Sequence, residues 1–276
     1  MIVSFALDRD RELGYARDLG RAFGGALLFS LPLLMTMEMW WFGFVLAPWR
    51  LATFLLAALP LLLGLAYYAG FSARHRGLAH ALLDTAAALA VGYAAAAAGL
   101  LLFGVLEPGA PPRQIAGQLT LQAVAGAMGA LLAGRQLSGG KDDVGDEEEA
   151  QYLGELFLMI AGALFLALNM APTEEMILIA YRMGAAHAVA LVIASLVIMH
   201  TLVYLVGFAG QEEQGKPVTA FVHFTLAGYG LVLLTALAVL WVFGRTEGHG
   251  LAEIVDAVVV LAFPGAIGAA AARLLV

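Results

Sequence analysis

Eight long apolar stretches alternate with short polar ones along this sequence. They run over residues 22–47, 51–71, 79–105, 115–134, 155–181, 186–209, 218–243 and 251–275. Each has about 20 residues or more, the length of helix that crosses a hydrocarbon core of roughly 30 Å. The intervening segments carry turn residues: Ala47-Pro48-Trp49-Arg50, Ser72 to Gly77, Glu107 to Arg113, Gln211 to Pro217 and Arg245 to Gly250. Membrane β-strands would be about ten residues long and alternate in polarity, a pattern not found here. The expectation is an all-α, polytopic transmembrane bundle of about eight helices. At 47–51 the first two helices could instead form a broken pair.

The apolar pattern repeats. At a shift of 137 residues Gly25-Ala26-Leu27 falls on Gly162-Ala163-Leu164, and Thr36-Met37-Glu38-Met39 falls on Thr173-Glu174-Glu175-Met176. At 140, Phe103-Gly104 and Glu107 fall on Phe243-Gly244 and Glu247; at 139, Gly126 and Gly129 fall on Gly265 and Gly268. Matches among Ala, Gly and Leu are cheap in such a composition, whereas a matched glutamate inside an apolar stretch is not. The matches predict two four-helix repeats over 22–134 and 153–276, an N-terminal segment 1–21 and an acidic linker 135–152. Four is an even number of crossings, so both copies should enter the membrane in the same direction; inverted repeats need an odd number.

Composition agrees with a bilayer as solvent. The chain is 62% hydrophobic and 13% charged, about half the charge of a soluble domain. Six of the 21 acids behind the net charge of −7 sit in the run Asp142 to Glu149, so the rest of the surface is not acidic. That run lacks the spacing of an EF-hand loop and reads as a solvated linker, with ion binding left open. There is no cysteine and no basic patch, which excludes thiol chemistry and argues against nucleic-acid binding. Met1 to Arg21 lacks the apolar core of a cleavable signal. With the N-terminus inside, the inner segments carry Arg9, Arg11, Arg17, Arg21, Arg74, Arg76, Arg135, Lys141, Lys216 and Arg273, against Arg50, Arg113, Arg182 and Arg245 outside. This asymmetry predicts a multi-pass inner-membrane protein with both termini cytoplasmic.

Candidate chemistry centres on Glu38 and Glu175. A carboxylate inside a membrane stretch usually faces the bundle interior or a wet cavity. On a pseudo-twofold axis the two could share a proton or a cation. Pro32 and Pro172 break helical hydrogen bonding nearby. Thr36, Thr173 and Asn169, the only Asn in the chain, add oxygens, and Glu174 stands where the first half has Met37. Arg182 offers a counter-ion. Asp84, one turn after His80, with His200 and His223, could form a proton path toward the cytoplasm. Asp256 with Glu253, and Gln118 with Gln122, are further polar pairs on helices, and Glu107 and Glu247 mark helix ends. Gly126, Gly129, Gly265 and Gly268 predict close packing of the fourth and eighth helices, within one protomer or between protomers. Trp40, Trp41, Trp49 and Trp241 fit an outer aromatic belt.

The stretch Leu31-Pro32-Leu33-Leu34-Met35-Thr36-Met37-Glu38-Met39-Trp40-Trp41, with Ala171-Pro172-Thr173-Glu174-Glu175-Met176, resembles a family of bacterial integral membrane proteins whose function is not assigned. A looser likeness is to duplicated cation/proton exchangers, which carry an acidic motif on a membrane helix of each half. By that analogy the leading expectation is a cation transporter or channel, proton-coupled, with Glu38 and Glu175 at the ion site. Its partners would be membrane lipid, a cation or proton, and further copies of itself in a homo-oligomer, with no cofactor. The alternatives are an intramembrane enzyme, in which Glu174-Glu175, Arg182, His200 and His223 resemble the Glu/His set of membrane proteases, and a membrane sensor or assembly protein.

Overall fold

The computed structural model describes residues 9–69, 77–107, 109–138, 148–202 and 221–275, and no strand occurs among them. Among the described residues ten α-helices follow one another: α1 Arg9–Leu34, α2 Met37–Val45, α3 Pro48–Ala69, α4 Leu78–Leu102, α5 Pro112–Ser138, α6 Glu148–Met170, α7 Glu174–Arg182, α8 Ala185–His200, α9 Ala227–Val242 and α10 Leu251–Leu275. A π turn, Phe221–Leu226, leads into α9. Of these described helices five are long and apolar enough to cross a membrane, or up to seven spans result if each of two bent pairs is one. Most of the acidic run 142–149 and the ends of three apolar stretches, at 70–71, 203–209 and 218–220, lie outside the described residues.

The bent pairs correct the expectation of continuous stretches at 22–47 and 155–181. α1 and α2 meet at 85°, α6 and α7 at 94°. Thr36 (φ −98°, ψ 113°) and Thr173 (φ −74°, ψ 145°) are extended residues that start the short helices. Before Pro172 the α region is disfavoured for Ala171, and α6 ends at Met170. In the first half α1 runs past Pro32 and stops two residues later, at Leu34. The apolar part of α1, Ala16–Leu34, is about 28 Å long at 1.5 Å per residue, already close to a hydrocarbon thickness. α2 and α7 therefore lie across the end of the bundle instead of prolonging a span.

Two helix ends use the same device. After α4, Gly104 (φ +70°) and Val105 donate to Leu101 and Leu100; after α9, Gly244 (φ +74°) and Arg245 donate to Trp241 and Leu240. Both are Schellman motifs, in which the left-handed residue after the cap is glycine because it lacks a Cβ. The matched Phe-Gly pairs in the sequence are these stops.

α5 and α10 are the packing centres. α5 touches α1, α2, α3 and α4; α10 touches α6, α7, α8 and α9, so the same pairs of positions meet in each half. The glycines set these distances. A Cβ on Gly129 would come within 2.3 Å of the Gly25 carbonyl oxygen, and one on Gly268 within 2.2 Å of that of Gly162. The glycines of α5 and α10 were expected to bring those two helices together, within one protomer or between protomers; within this chain Gly129 and Gly268 each pack on the first helix of their own half. Between the halves, Phe29 and Phe165 stack at 4.4 Å, Phe42 and Phe243 at 5.0 Å, and Gly64 makes room for Phe157. Ser30, Thr85 and Ser195 are buried but donate to carbonyls one turn earlier, which satisfies their hydroxyls in an apolar interior.

Candidate functional site

One end of the bundle gathers both short helices with Arg50, Arg245 and their acidic partners. α2, α7 and the turns after α4 and α9 form a layer there. Arg50, 5% exposed at the start of α3, is the central cation. It donates to the carbonyl of Trp241 at 2.7 Å and pairs with the Glu247 carboxylate. Its guanidinium also lies 4.9 and 5.9 Å from the ring centres of Trp49 and Trp241. Arg245 pairs with Glu174 at 2.8 Å, donates to the Pro172 carbonyl at 2.6 Å and sits over the Phe42 ring. Glu174, which has no acidic counterpart in the first half, and Glu247, expected to mark a helix end, are thus held by arginines. Loop residues rarely advertise such pairing, since the partners are 71 and 197 positions apart.

Glu38 and Glu175 occupy corresponding places, each the second residue of its short helix. A carboxylate in the first turn interacts favourably with the helix dipole. Glu38 is half-buried and Glu175 exposed, and neither forms a hydrogen bond or ion pair among the described residues. Neither belongs to the lining of the two cavities below, so the pair is not enclosed within one chain as the sequence suggested. Thr36 and Thr173 donate to the carbonyls of Pro32 and Met170 at 2.6 and 2.9 Å. Asn169 donates to the Phe165 carbonyl at 2.7 Å, and its Oδ1 is enclosed without a partner. The oxygens expected around the glutamates therefore serve first to finish the broken helices. Trp40 does the same, its indole N–H reaching the Leu34 carbonyl at 2.8 Å.

Two cavities open in this layer, one beside each short helix. The first, of about 370 Å³, has aromatic walls from α2 and the α4–α5 turn, with Glu107, Gln114 and Gln118 as its polar groups. The second, of about 140 Å³, is lined by Tyr181, Arg245, His249, Glu253 and Asp256 among others. They correspond: Trp40, Phe44, Val105, Gln114 and Gln118 of the first stand 137 to 140 residues before Ile177, Tyr181, Arg245, Glu253 and Ala257 of the second. In the second cavity the polar groups bond one another. The His249 Nδ1 lies 3.0 Å from the Tyr181 hydroxyl and 3.3 Å from Glu253, whose carboxylate also accepts the Gly250 N–H at the start of α10. That last bond is half of a capping box. No cluster of three or more His, Asp or Glu side chains suited to a metal occurs among the described residues.

The first cavity exists because α2 lies directly on α5. A Cβ on Gly117 would come within 1.8 Å of the Gly43 carbonyl oxygen, and Gly43 rests against Gln118. Gln118 is 2% exposed; its amide nitrogen donates to the Trp40 carbonyl at 3.4 Å, and its Oε1 has no partner. One turn deeper, Gln122 is fully buried and donates to the Leu33 carbonyl at 3.2 Å, again leaving Oε1 unmatched. The sequence marked Gln118 and Gln122 as a pair on one helix face, but not the glycine contact that lays α2 over them.

The remaining candidates lie elsewhere. His200 ends α8 and hydrogen-bonds Thr225 of the π turn at 3.0 Å. Asp84 is half-buried on α4, one turn after the exposed His80. His223 belongs to the π turn, and its side chain lies outside the described residues. His200 is a whole helix, roughly 22 Å of rise, from the α7–α8 turn that follows Glu174 and Glu175. The glutamate–histidine set of the enzyme alternative is not brought together, and Arg182 is exposed at the end of α7.

No curated protein and no solved structure matches this chain. One family profile does, over residues 18–276, under the description "Putative integral membrane protein (DUF2391)". The match takes in both helix bends, both cavities, the Arg50–Glu247 pair between the halves and the Arg245–Glu174 pair within the second. The chain belongs to the DUF2391 family of integral membrane proteins.

Proposed function

We propose that this protein is a cation transporter or channel, built as two parallel four-helix repeats and responsive to protons through Glu38 and Glu175. The observation that carries the proposal is the pair of helix breaks. Each leaves, two residues beyond an extended threonine, a glutamate without an ion-pair partner among the described residues. Broken helices whose ends meet ions are a recurrent feature of membrane transporters. The free Oδ1 of Asn169 adds an acceptor near the second break. Thr36 and Thr173 hold the breaks in shape, and at the second break Glu174 is also paired with Arg245. Asp84, His200 and His223 are the groups through which protons would pass toward the cytoplasm. Since one chain does not enclose both glutamates, the site is completed by membrane, water or a second protomer of a homo-oligomer.

The test is ion flux in proteoliposomes, with and without a pH gradient, across alkali and alkaline-earth cations. Wild-type protein should carry one of these ions with a rate that depends on pH. Glu38→Gln and Glu175→Gln keep the side-chain volume and remove the charge; each should abolish flux or its pH dependence while leaving thermal stability nearly intact. If they form one site, the double substitution adds little to either single one. Wild-type flux and an unchanged pH response in both single variants would overturn the assignment.

A further inference from the structure

We infer that His249 is a proton-binding site that governs how the end of α7 is held. The neutral ring ties Tyr181 to the turn before α10; the protonated ring turns to Glu253 and lets Tyr181 go. Neither Glu38 nor Glu175 lines this cavity, so the site stands whether or not they carry an ion. One ring nitrogen faces two oxygens. The Nδ1 of His249 lies 3.0 Å from the Tyr181 hydroxyl and 3.3 Å from a Glu253 carboxylate oxygen. That oxygen also accepts the Gly250 N–H at 2.9 Å, which keeps it beside the ring.

The two contacts ask opposite things of the nitrogen. As a bare acceptor, Nδ1 takes the proton of the Tyr181 hydroxyl, and its lone pair faces the carboxylate unfavourably. As an N–H it donates, and the carboxylate wins over the phenol, because a charge-assisted hydrogen bond is roughly twice as strong as a neutral one. Such bonds are also short, about 2.7–2.9 Å. Tyr181 is the nearer partner and Glu253 lies beyond that range, which is the arrangement of the neutral ring. An imidazole changes its charge between about pH 5 and 8, so a proton reverses the order of the two partners.

The surrounding groups leave this exchange to the three side chains. α7 gives the cavity wall Tyr181, α10 gives Glu253 and Asp256, the turn before α10 gives Arg245, and α8 gives no charged group. Arg182 of α7 and His187 of α8 are exposed and outside the wall. Arg245 is taken up by Glu174 and the Pro172 carbonyl, which hold the start of α7. The end of α7 has Tyr181, 57% exposed and so little packed, and its hold depends the more on His249. The first half lacks the device: Phe44 and Ala110 stand 137 and 139 residues before Tyr181 and His249.

The experiment is spin labelling of the full chain, which has no cysteine of its own, in lipid nanodiscs. Leu178→Cys on α7 and Trp41→Cys on α2 are exposed positions 137 residues apart, matched between the halves. Between about pH 8 and about pH 5 the mobile fraction of the label at 178 should rise several-fold, and that of the label at 41 should not change. His249→Gln keeps an acceptor for Tyr181 and cannot be protonated, so the label at 178 should stay in its less mobile state throughout. Tyr181→Phe should give the mobile state at every pH. Glu253→Gln preserves the cap of α10 and should move the transition to lower pH, since an opposite charge favours the protonated ring. No change at 178, an equal change at 41, or an unaltered transition in His249→Gln would overturn the inference. The flux assay uses other variants, so either result can fail without the other.

Discussion

Arg50 and Glu247 join the two halves of the chain across 197 residues of sequence: the guanidinium is 7% exposed, the carboxylate 70%. The pair is unequal, and its two members should respond unequally to substitution. Glu247→Gln keeps a polar acceptor beside Arg50, and an ion pair with so exposed a partner is worth about 1 kcal/mol or less. Arg50→Met removes the bond to the Trp241 carbonyl and the stacking on Trp49 and Trp241 as well, and should cost about 1–3 kcal/mol. Thermal unfolding in detergent should show a clear loss for Arg50→Met and little for Glu247→Gln. Equal losses would mean that the clamp depends on the ion pair and not on the carbonyl and rings.

The two Schellman glycines offer a graded comparison. Alanine at either position must adopt a left-handed backbone, which costs about 1–2 kcal/mol. At Gly104 a new Cβ meets nothing within 4 Å, whereas at Gly244 it falls 2.9 Å from the guanidinium of Arg50. Both variants should lower the unfolding temperature, and Gly244→Ala by more than Gly104→Ala. The reverse order would show that Arg50 yields freely and that the clamp is loose.

The glycine contacts at Gly129 and Gly268 should resist enlargement. Gly129→Leu and Gly268→Leu should each cost about 1–3 kcal/mol, the range for overpacked interiors. Gly24, where a Cβ meets nothing within 4 Å, is the control. Gly24→Ala removes backbone freedom from a helix and should stabilise by about 0.5–1 kcal/mol. Unchanged unfolding temperature and elution for both leucine variants would count against the packing described.

Orientation can be tested cleanly because the chain has no cysteine. Ala186, exposed at the start of α8, lies at the end that holds α2 and α7; Ala79, exposed at the start of α4, lies at the other. With both termini cytoplasmic, Ala186→Cys should react with a membrane-impermeant maleimide in intact cells, and Ala79→Cys only after permeabilisation. The opposite pattern would reverse the orientation drawn from the arginines and lysines.

Much of the architecture was legible in the sequence. Apolar length marked an all-helical membrane protein, although five to seven candidate spans among the described residues stand where eight were expected; Phe103-Gly104 and Phe243-Gly244 marked two helix stops, and the matched Thr and Glu residues pointed to the two places where helices break. Pro32 and Pro172 marked where helical hydrogen bonding is interrupted, but not how sharply the chain turns there. Hydropathy stays high from Leu31 to Trp41, with only Thr36 and Glu38 polar, and a right-angle turn between two apolar helices leaves no trace in it. Suspicion fell on 47–51 because Pro48 and Arg50 are there. That join is a real turn, between α2 and α3, but the sharper one precedes it. The cavity over Gln118 was illegible for another reason: it depends on Gly43 meeting Gly117, a contact between distant positions that no local pattern announces. The arginine clamps share that fate, since Arg50 and Arg245 look like ordinary loop cations until the fold brings their partners to them.

α5 meets three helices through three glycines: Gly117 against Gly43 of α2, Gly126 against Gly92 of α4, and Gly129 against Gly25 of α1. These contacts act like wards on a key, because each admits its neighbour at one angle and one height only. Adding or deleting a single residue between Gly117 and Gly126 would turn everything beyond it by about 100° and shift it by about 1.5 Å. The far glycines would then face away from α1 and α4, while Gly117 stayed locked to α2. α5 can accept many changes of side chain but not a change of length between these points, and the same rigidity keeps Gln118 under α2.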